Sequence, residues 1–161
     1  MADTSFPASQ HHARIDRGPY DKIAPATSAA LLALGKAVDE SGLDRSLTEI
    51  VKLRASQING CAFCVQMHTN IGRQLKIPRA KLDQLVVWRE AGIYCARERA
   101  ALAWTEALTL MATGGVPDAV YAQLQEQFSE TEIAFLTAAV SNINAWNRIA
   151  GSLRFTPVAA N

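Results

Sequence analysis

The chain has 161 residues, which is most simply one domain large enough to build its own core. Sixteen basic and fifteen acidic side chains leave a formal charge of +1, with no basic run, so a nucleic-acid partner is excluded. Hydrophobic content of 49% and charged content of 19% are ordinary for a globular protein, and charged or hydroxyl side chains interrupt every apolar stretch before membrane-spanning length.

Residues 1–20 carry two prolines and the pair His11-His12 but no apolar period, and read as a tail that is flexible or lies on a partner. With Asp3, His11, His12 and Arg14, this segment has no apolar h-region, so a secretory signal is not expected. A cytoplasmic location follows, where a close cysteine pair is catalytic or metal-binding rather than a structural disulfide.

The domain proper is expected over residues 21–156, with 157–161 as a C-terminal tail. Pro25 opens a helix carrying Ala29, Leu32, Ala33 and Ala37, stopped at Ser41-Gly42. Ser46-Leu-Thr-Glu49 has the form of a capping box, and Leu47, Ile50, Val51, Ala55 and Ile58 then keep helical spacing. Asn59-Gly60 is a turn signal. The next helix holds Cys61, Cys64, His68, Ile71 and Leu75, and ends before Pro78. Pro78 starts another, with Leu82, Leu85, Val86 and Arg89, stopped by Gly92. Arg97 to Met111 forms a long helix with Trp104, closed by Gly114-Gly115. Pro117 starts a short one with Val120, Leu124 and Phe128. Ser129-Glu-Thr-Glu132 is a second capping box, opening a final helix through Ile133, Leu136, Val140, Ile143, Trp146 and Ile149 to Gly151. Nothing alternates as a strand would, so the expected fold is all-α, one compact domain of about seven helices.

Chemistry concentrates in Cys61-Ala-Phe-Cys64-Val-Gln-Met-His68. Positions i, i+3 and i+7 share a helix face, so both sulfurs and the imidazole point the same way. Orphan amides and the dipole at a helix start favour a thiolate, the nucleophilic form of cysteine. His68, one turn past Cys64, is placed to take or relay a proton. Two cysteines at this spacing, with Cα atoms about 5–6 Å apart, lie within disulfide reach.

A base held in one tautomer needs an orienting group. Glu49 and His68 sit at similar distances from the Asn59-Gly60 turn, so two helices folding back across it bring them to one height. The competing readings give Glu49 to the capping box with Ser46 or to an ion pair with Lys52. Zinc is the chemical rival for the cysteines, with Cys61, Cys64 and His68 as ligands and Glu49 or Cys95 as a fourth. A second C-x-x-C or H-x-x-H is missing, which weighs against zinc. Haem attachment fails because Val65, not His, follows the second cysteine. Cys95 has no sequence partner and reads as a buried or semi-buried bystander. Trp88, Trp104 and Trp146 read as core or interface. Asn142, Asn144, Asn147 and Arg148 read as helix-to-helix hydrogen bonding, with a substrate-pocket rim as the alternative.

Glu49 twelve residues before Cys61, then Cys61-x-x-Cys64-x-x-x-His68, resembles the AhpD-like alkylhydroperoxidase motif of the carboxymuconolactone decarboxylase superfamily. Leu53-Arg-Ala-Ser-Gln-Ile-Asn-Gly-Cys61, Glu98-Arg-Ala-Ala-Leu-Ala-Trp-Thr-Glu106 and Ile143-Asn-Ala-Trp-Asn-Arg148 are similar to its small single-domain members, so the resemblance spans residues 14–155. It implies a trimer or hexamer that reduces organic hydroperoxides or hydrogen peroxide in antioxidant defence. Self-association also fits an Ala-rich helical chain with apolar residues on several helix faces. The resemblance further implies Cys64 as the peroxidatic thiol, passing through a sulfenic acid, and Cys61 as the resolving thiol that closes a Cys61–Cys64 disulfide. Helix geometry alone allows either order. In the same scheme His68 is the proton relay, oriented by Glu49. No bound cofactor is implied, and the reductant is an external dithiol such as a protein-bound lipoyl group. AhpD proper has histidine directly before the second cysteine, where this chain has Phe63, an apolar group at the expected pocket. Decarboxylating members lack the cysteine pair, which directs the expected chemistry to redox rather than decarboxylation.

Overall fold

The computed structural model describes residues 12–159, and every regular element among them is helical. The helices are α1 (Arg17–Ile23), α2 (Pro25–Asp39), α3 (Arg45–Ile58), α4 (Ala62–Gln74), α5 (Arg79–Asp83), α6 (Ala96–Thr109), α7 (Met111–Gly114), α8 (Asp118–Gln125) and α9 (Glu130–Leu153), with a 3₁₀ turn at Leu85–Val87. The architecture is thus all-α, as expected, but with more and shorter pieces than seven helices. α3 lies at the centre, packed against α4, α6 and α9, and α2 covers another part of α9.

The additional pieces have local causes. α1 begins inside the segment expected to be a tail, of which residues 1–11 fall outside the described region. It exists because Asp16 caps it by accepting the Arg17 N–H, while the same carboxylate takes the Thr156 N–H and hydroxyl. The Arg14 and Ile15 amides bind the Leu153 carbonyl, so the start of the chain is tied to the end of α9. The helix expected from Pro78 to Arg89 breaks at Asp83, because Trp88 turns inward to donate its indole N–H to Glu106. Val86, counted on the apolar stripe of that helix, is left exposed, as is its neighbour Val87.

The capping predictions divide. Ser129 and Glu132 form the predicted reciprocal box at the start of α9. At α3 the cap is instead Asp44, whose carboxylate accepts the Leu47 N–H at 2.9 Å. Ser46 is therefore already inside the helix, and Glu49 is released from capping.

The connection between α3 and α4 is a Schellman motif. Gly60 adopts φ +65°, the Gly60 N–H reaches the Gln57 carbonyl, and the Cys61 N–H reaches that of Ser56. Glycine is needed here because any Cβ in the left-handed region is strained. The motif turns the chain within two residues and delivers Cys61 as the N-cap of α4.

Candidate redox site

All four residues of the predicted constellation lie in the interior. Cys61 and Cys64 are each 1% exposed, Glu49 3% and His68 5%, so bulk water is excluded from their polar atoms. Both cysteines are free thiols. The α3–α4 hairpin brings His68 Nδ1 to 2.7 Å from Glu49 Oε2, as the equal-height argument required. Lys52 donates to the other carboxylate oxygen at 2.9 Å, with Asp39 3.6 Å from the same ammonium. The two readings offered for Glu49 beside capping therefore both hold, one on each oxygen.

Burial tends to raise the Glu49 pKa, but the His68 hydrogen bond and charge, followed by those of Lys52, outweigh it and hold the carboxyl below its ordinary value. An ionised Glu49 only accepts, so Nδ1 carries the hydrogen and the chemistry of His68 falls to Nε2. Nε2 is buried and has no hydrogen-bond partner in the structure.

At the helix start, Cys61 Sγ accepts the Cys64 backbone N–H at 3.3 Å. The Cys61 pKa is lowered to about 7, first by the hydrogen bond from the Cys64 thiol. Burial opposes this, and the Cys64 backbone amide, the Asn147 side-chain amide and the Phe63 N–H add to it. Cys64 is pushed up, first by giving its S–H to Cys61, then by burial and by the charge on Cys61. The pair therefore holds its first negative charge on Cys61.

Asn147 was expected only as a helix-to-helix contact. It does make such contacts, donating to Ser56 Oγ at 3.0 Å and accepting from Asn59 at 2.9 Å, which places its amide beside the sulfurs. Asn144 binds Thr109 and Asn59, Arg148 binds back to Asn144, and Asn142 donates to the Leu31 carbonyl of α2. Trp88 and Trp104 are core, whereas Trp146 borders a cavity of about 290 Å³ together with Met67, His68 and Asn142. Phe63 does not enter that cavity; it packs edge-on against Phe155, ring centres 5.5 Å apart. Cys95 is exposed rather than buried or semi-buried as expected, because it is the N-cap residue outside the first turn of α6, and it is far in sequence from the other thiols. Among the described residues no group of three or more His, Cys, Asp or Glu side chains is arranged to hold a metal ion. No helix among them is long and apolar enough to cross a membrane.

A small all-helical domain with a C-x-x-C pair at a helix start and a buried Glu–His pair one turn on defines a class of protein. The pattern of the carboxymuconolactone decarboxylase family matches residues 25–107, and the chain belongs to that family as an AhpD-like member. It is 35% identical to the uncharacterized protein YdfG of Bacillus subtilis (strain 168) over 133 residues, covering 83% of this chain and 90% of that protein. Among solved structures it is similar to ATU0492 of Agrobacterium tumefaciens, a protein of unknown function provisionally described as the antioxidant defence protein AhpD. That match has a TM-score of 0.87 and 40% identity, covering 92% of this chain and 99% of the other. The debrominase Bmp8 shares the fold at 20% identity, with a TM-score of 0.77, over 86% of this chain and 74% of its own.

Proposed function

We propose that the protein is a thiol-dependent peroxidase that reduces organic hydroperoxides or hydrogen peroxide through Cys61 and Cys64. The observation that carries this reading is the buried His68–Glu49 hydrogen bond of 2.7 Å, placed one helical turn beyond a buried pair of free thiols. The description of ATU0492 as an antioxidant protein is consistent with it.

In the proposed cycle the Cys64 proton passes to His68 Nε2, and Glu49 stabilises the resulting imidazolium through Nδ1. Because Nε2 touches neither sulfur, the proton crosses an intervening oxygen of substrate or solvent. The Cys64 thiolate attacks the terminal peroxide oxygen and the O–O bond breaks. The alkoxide leaves with the proton from Nε2, giving an alcohol and a Cys64 sulfenic acid. Cys61 then attacks the Cys64 sulfur, closing a disulfide and expelling hydroxide, which takes up the Cys61 proton to become water. An external dithiol, a lipoyl-bearing protein being the type implied by the family, returns two electrons. The protein acts as a homo-oligomer in this reading.

A second order of attack is favoured by one observation, the Cys61 sulfur at the helix start accepting the Cys64 backbone N–H at 3.3 Å, which helps to lower its pKa. In that version the Cys61 thiolate attacks and Cys64 resolves. Trapping the sulfenic acid with dimedone separates the two. Label on Cys64 in the Cys61→Ser variant, with none on Cys61 in Cys64→Ser, supports the first order, and the converse supports the second. Loss of two thiols per chain with one equivalent of hydroperoxide is expected in either case. Peroxide turnover at the wild-type rate in a Cys61→Ser/Cys64→Ser variant would sink both.

A further inference from the structure

Among the described residues, two buried side-chain polar atoms lack hydrogen-bond partners, His68 Nε2 and Asn142 Oδ1. They belong to different helices, α4 and α9, yet both residues border the same cavity of about 290 Å³. Unsatisfied buried polar atoms are uncommon in folded proteins, and two at one cavity mark a place where a ligand supplies the missing partners. The remaining wall is largely apolar, with Leu31, Met67, Ile143 and Trp146, but Lys36, Asp39 and Lys52 border it too, and the Lys52 ammonium is already neutralised by Glu49 and Asp39. The volume is at the small end of the roughly 300–1,000 Å³ range of ligand pockets, so the ligand is compact.

The polarity of Asn142 is set by its surroundings. Its Nδ2 donates to the Leu31 carbonyl at 3.2 Å, and a carbonyl can only accept, so Oδ1 is the atom left over. Gly35 on α2 supports this arrangement. A Cβ at Gly35 would stand 3.2 Å from Asn142 Nδ2, closer than side chains ordinarily pack. A glycine in mid-helix is unfavourable by about 0.5–1 kcal/mol relative to alanine, and here it makes room for the asparagine.

We propose that Asn142 is a substrate-anchoring residue, and that the cavity between α2, α4 and α9 binds a compact, uncharged alkyl or aryl hydroperoxide. Its O–H donates to Asn142 Oδ1, its inner oxygen accepts from His68 Nε2–H once the ring has taken up a thiol proton, and its hydrocarbon part lies against Leu31, Ile143 and Trp146. The class of ligand rests on the peroxidase reading; the subsite itself does not. Of the residues that act in the steps above, His68 borders the cavity and neither cysteine does. Asn142 holds the hydrogen that remains on the transferred oxygen, and Nε2 protonates the oxygen that leaves.

Binding and turnover are measured separately. On a Cys61→Ser/Cys64→Ser background, which cannot reduce the peroxide, cumene hydroperoxide is titrated against protein whose histidines are ¹⁵N-labelled. The expected result is saturable binding with a shift at the His68 Nε2 resonance. Asn142→Leu, similar in volume, should weaken binding about 3- to 10-fold, the loss of one neutral hydrogen bond. Gly35→Ala, which removes no polar group but sets a Cβ against Asn142, should weaken it in the same direction. An unmoved Nε2 resonance, or equal dissociation constants in all three proteins, overturns the subsite whatever the activity. If binding behaves as expected while wild-type protein consumes no hydroperoxide, the subsite stands and the redox reading fails.

Discussion

Replacing Glu49 by glutamine preserves volume and removes one buried charge. The carboxylate accepts two charge-assisted hydrogen bonds, from His68 at 2.7 Å and Lys52 at 2.9 Å. Bonds to charged groups contribute about 1.5–3 kcal/mol each, and an amide restores about 1 kcal/mol by accepting from Nδ1–H. Lys52 keeps Asp39 at 3.6 Å, so its ammonium is not stranded. The expected net loss for Glu49→Gln is roughly 2–5 kcal/mol, or about 4–20 °C in Tm for a chain of this size. The pH dependence has a definite sign. Because the Glu49 pKa is lowered on folding, its contribution is complete above the ordinary value of about 4.5 and is lost as pH falls through the folded value. Wild-type and Glu49→Gln melting curves, followed by circular dichroism from pH 7 to pH 3, should therefore converge toward acid. Parallel curves would show that the buried carboxylate is not the source of the stability. In peroxide assays kcat/KM should fall by about 10- to 100-fold, because Nδ1–H is no longer enforced and the imidazolium loses its counter-charge.

Gly60→Ala forces a Cβ into φ +65°, which costs about 1–2 kcal/mol and should appear as a lower urea midpoint at unchanged slope. Alkylation of Cys61 by iodoacetamide, followed by peptide mass spectrometry, should titrate near pH 7 in wild type. In Cys64→Ala the midpoint should rise, because the hydrogen bond that contributes most to the lowering is removed; a midpoint that stays at 7 would assign the effect to the helix start alone. Asn147→Leu should raise the same midpoint by a smaller amount, since its amide donates to the sulfurs after the nearer groups.

The site was legible in the sequence to the extent that it depends on counting along one hairpin. Cys61, Cys64 and His68 share a face by helical periodicity, and Asn59-Gly60 fixed where the chain reverses, so Glu49 followed from arithmetic on helix rise. What the hairpin does not contain was hidden. Asn147 reaches the sulfurs from a helix about eighty residues away, and Asn142 and Gly35 meet at the crossing of α2 and α9. The polar residues of α9 were visible as inter-helix bonds, but only the crossing decides which of them turns to the thiols and which to the cavity. The cap of α3 was misread for a local reason. Asp44 and Ser46 are both good caps, and only the observed bond from Leu47 to Asp44 shows which one starts the helix. α1 escaped notice because its ties are to Leu153 and Thr156 at the opposite end of the chain.

The end of the chain, of which only residues 157–161 were expected to be a tail, is joined to the thiols. Phe155 is 2% exposed and lies between Tyr20 of α1, at 5.7 Å, and Phe63, at 5.5 Å, the residue directly before Cys64. Beyond it, Thr156 binds the Asp16 cap and the Ala159 carbonyl accepts from Asn70 of α4 at 2.7 Å. Truncation after Arg154 removes all of these at once. Deleting a buried phenylalanine costs about 3–5 kcal/mol, enough to lower Tm clearly without exceeding the stability of a typical domain. The informative effect is on the cysteines. The first turn of α4 aligns the Phe63 and Cys64 amides toward Cys61, and with Phe155 gone Phe63 loses the ring that holds that turn in place. In the truncated protein the Cys61 alkylation midpoint should move up from 7 toward the ordinary thiol value, at temperatures where circular dichroism still reports native helix. A truncated protein that melts earlier yet keeps the wild-type midpoint would show that the segment stabilises the fold without shaping the thiol pair.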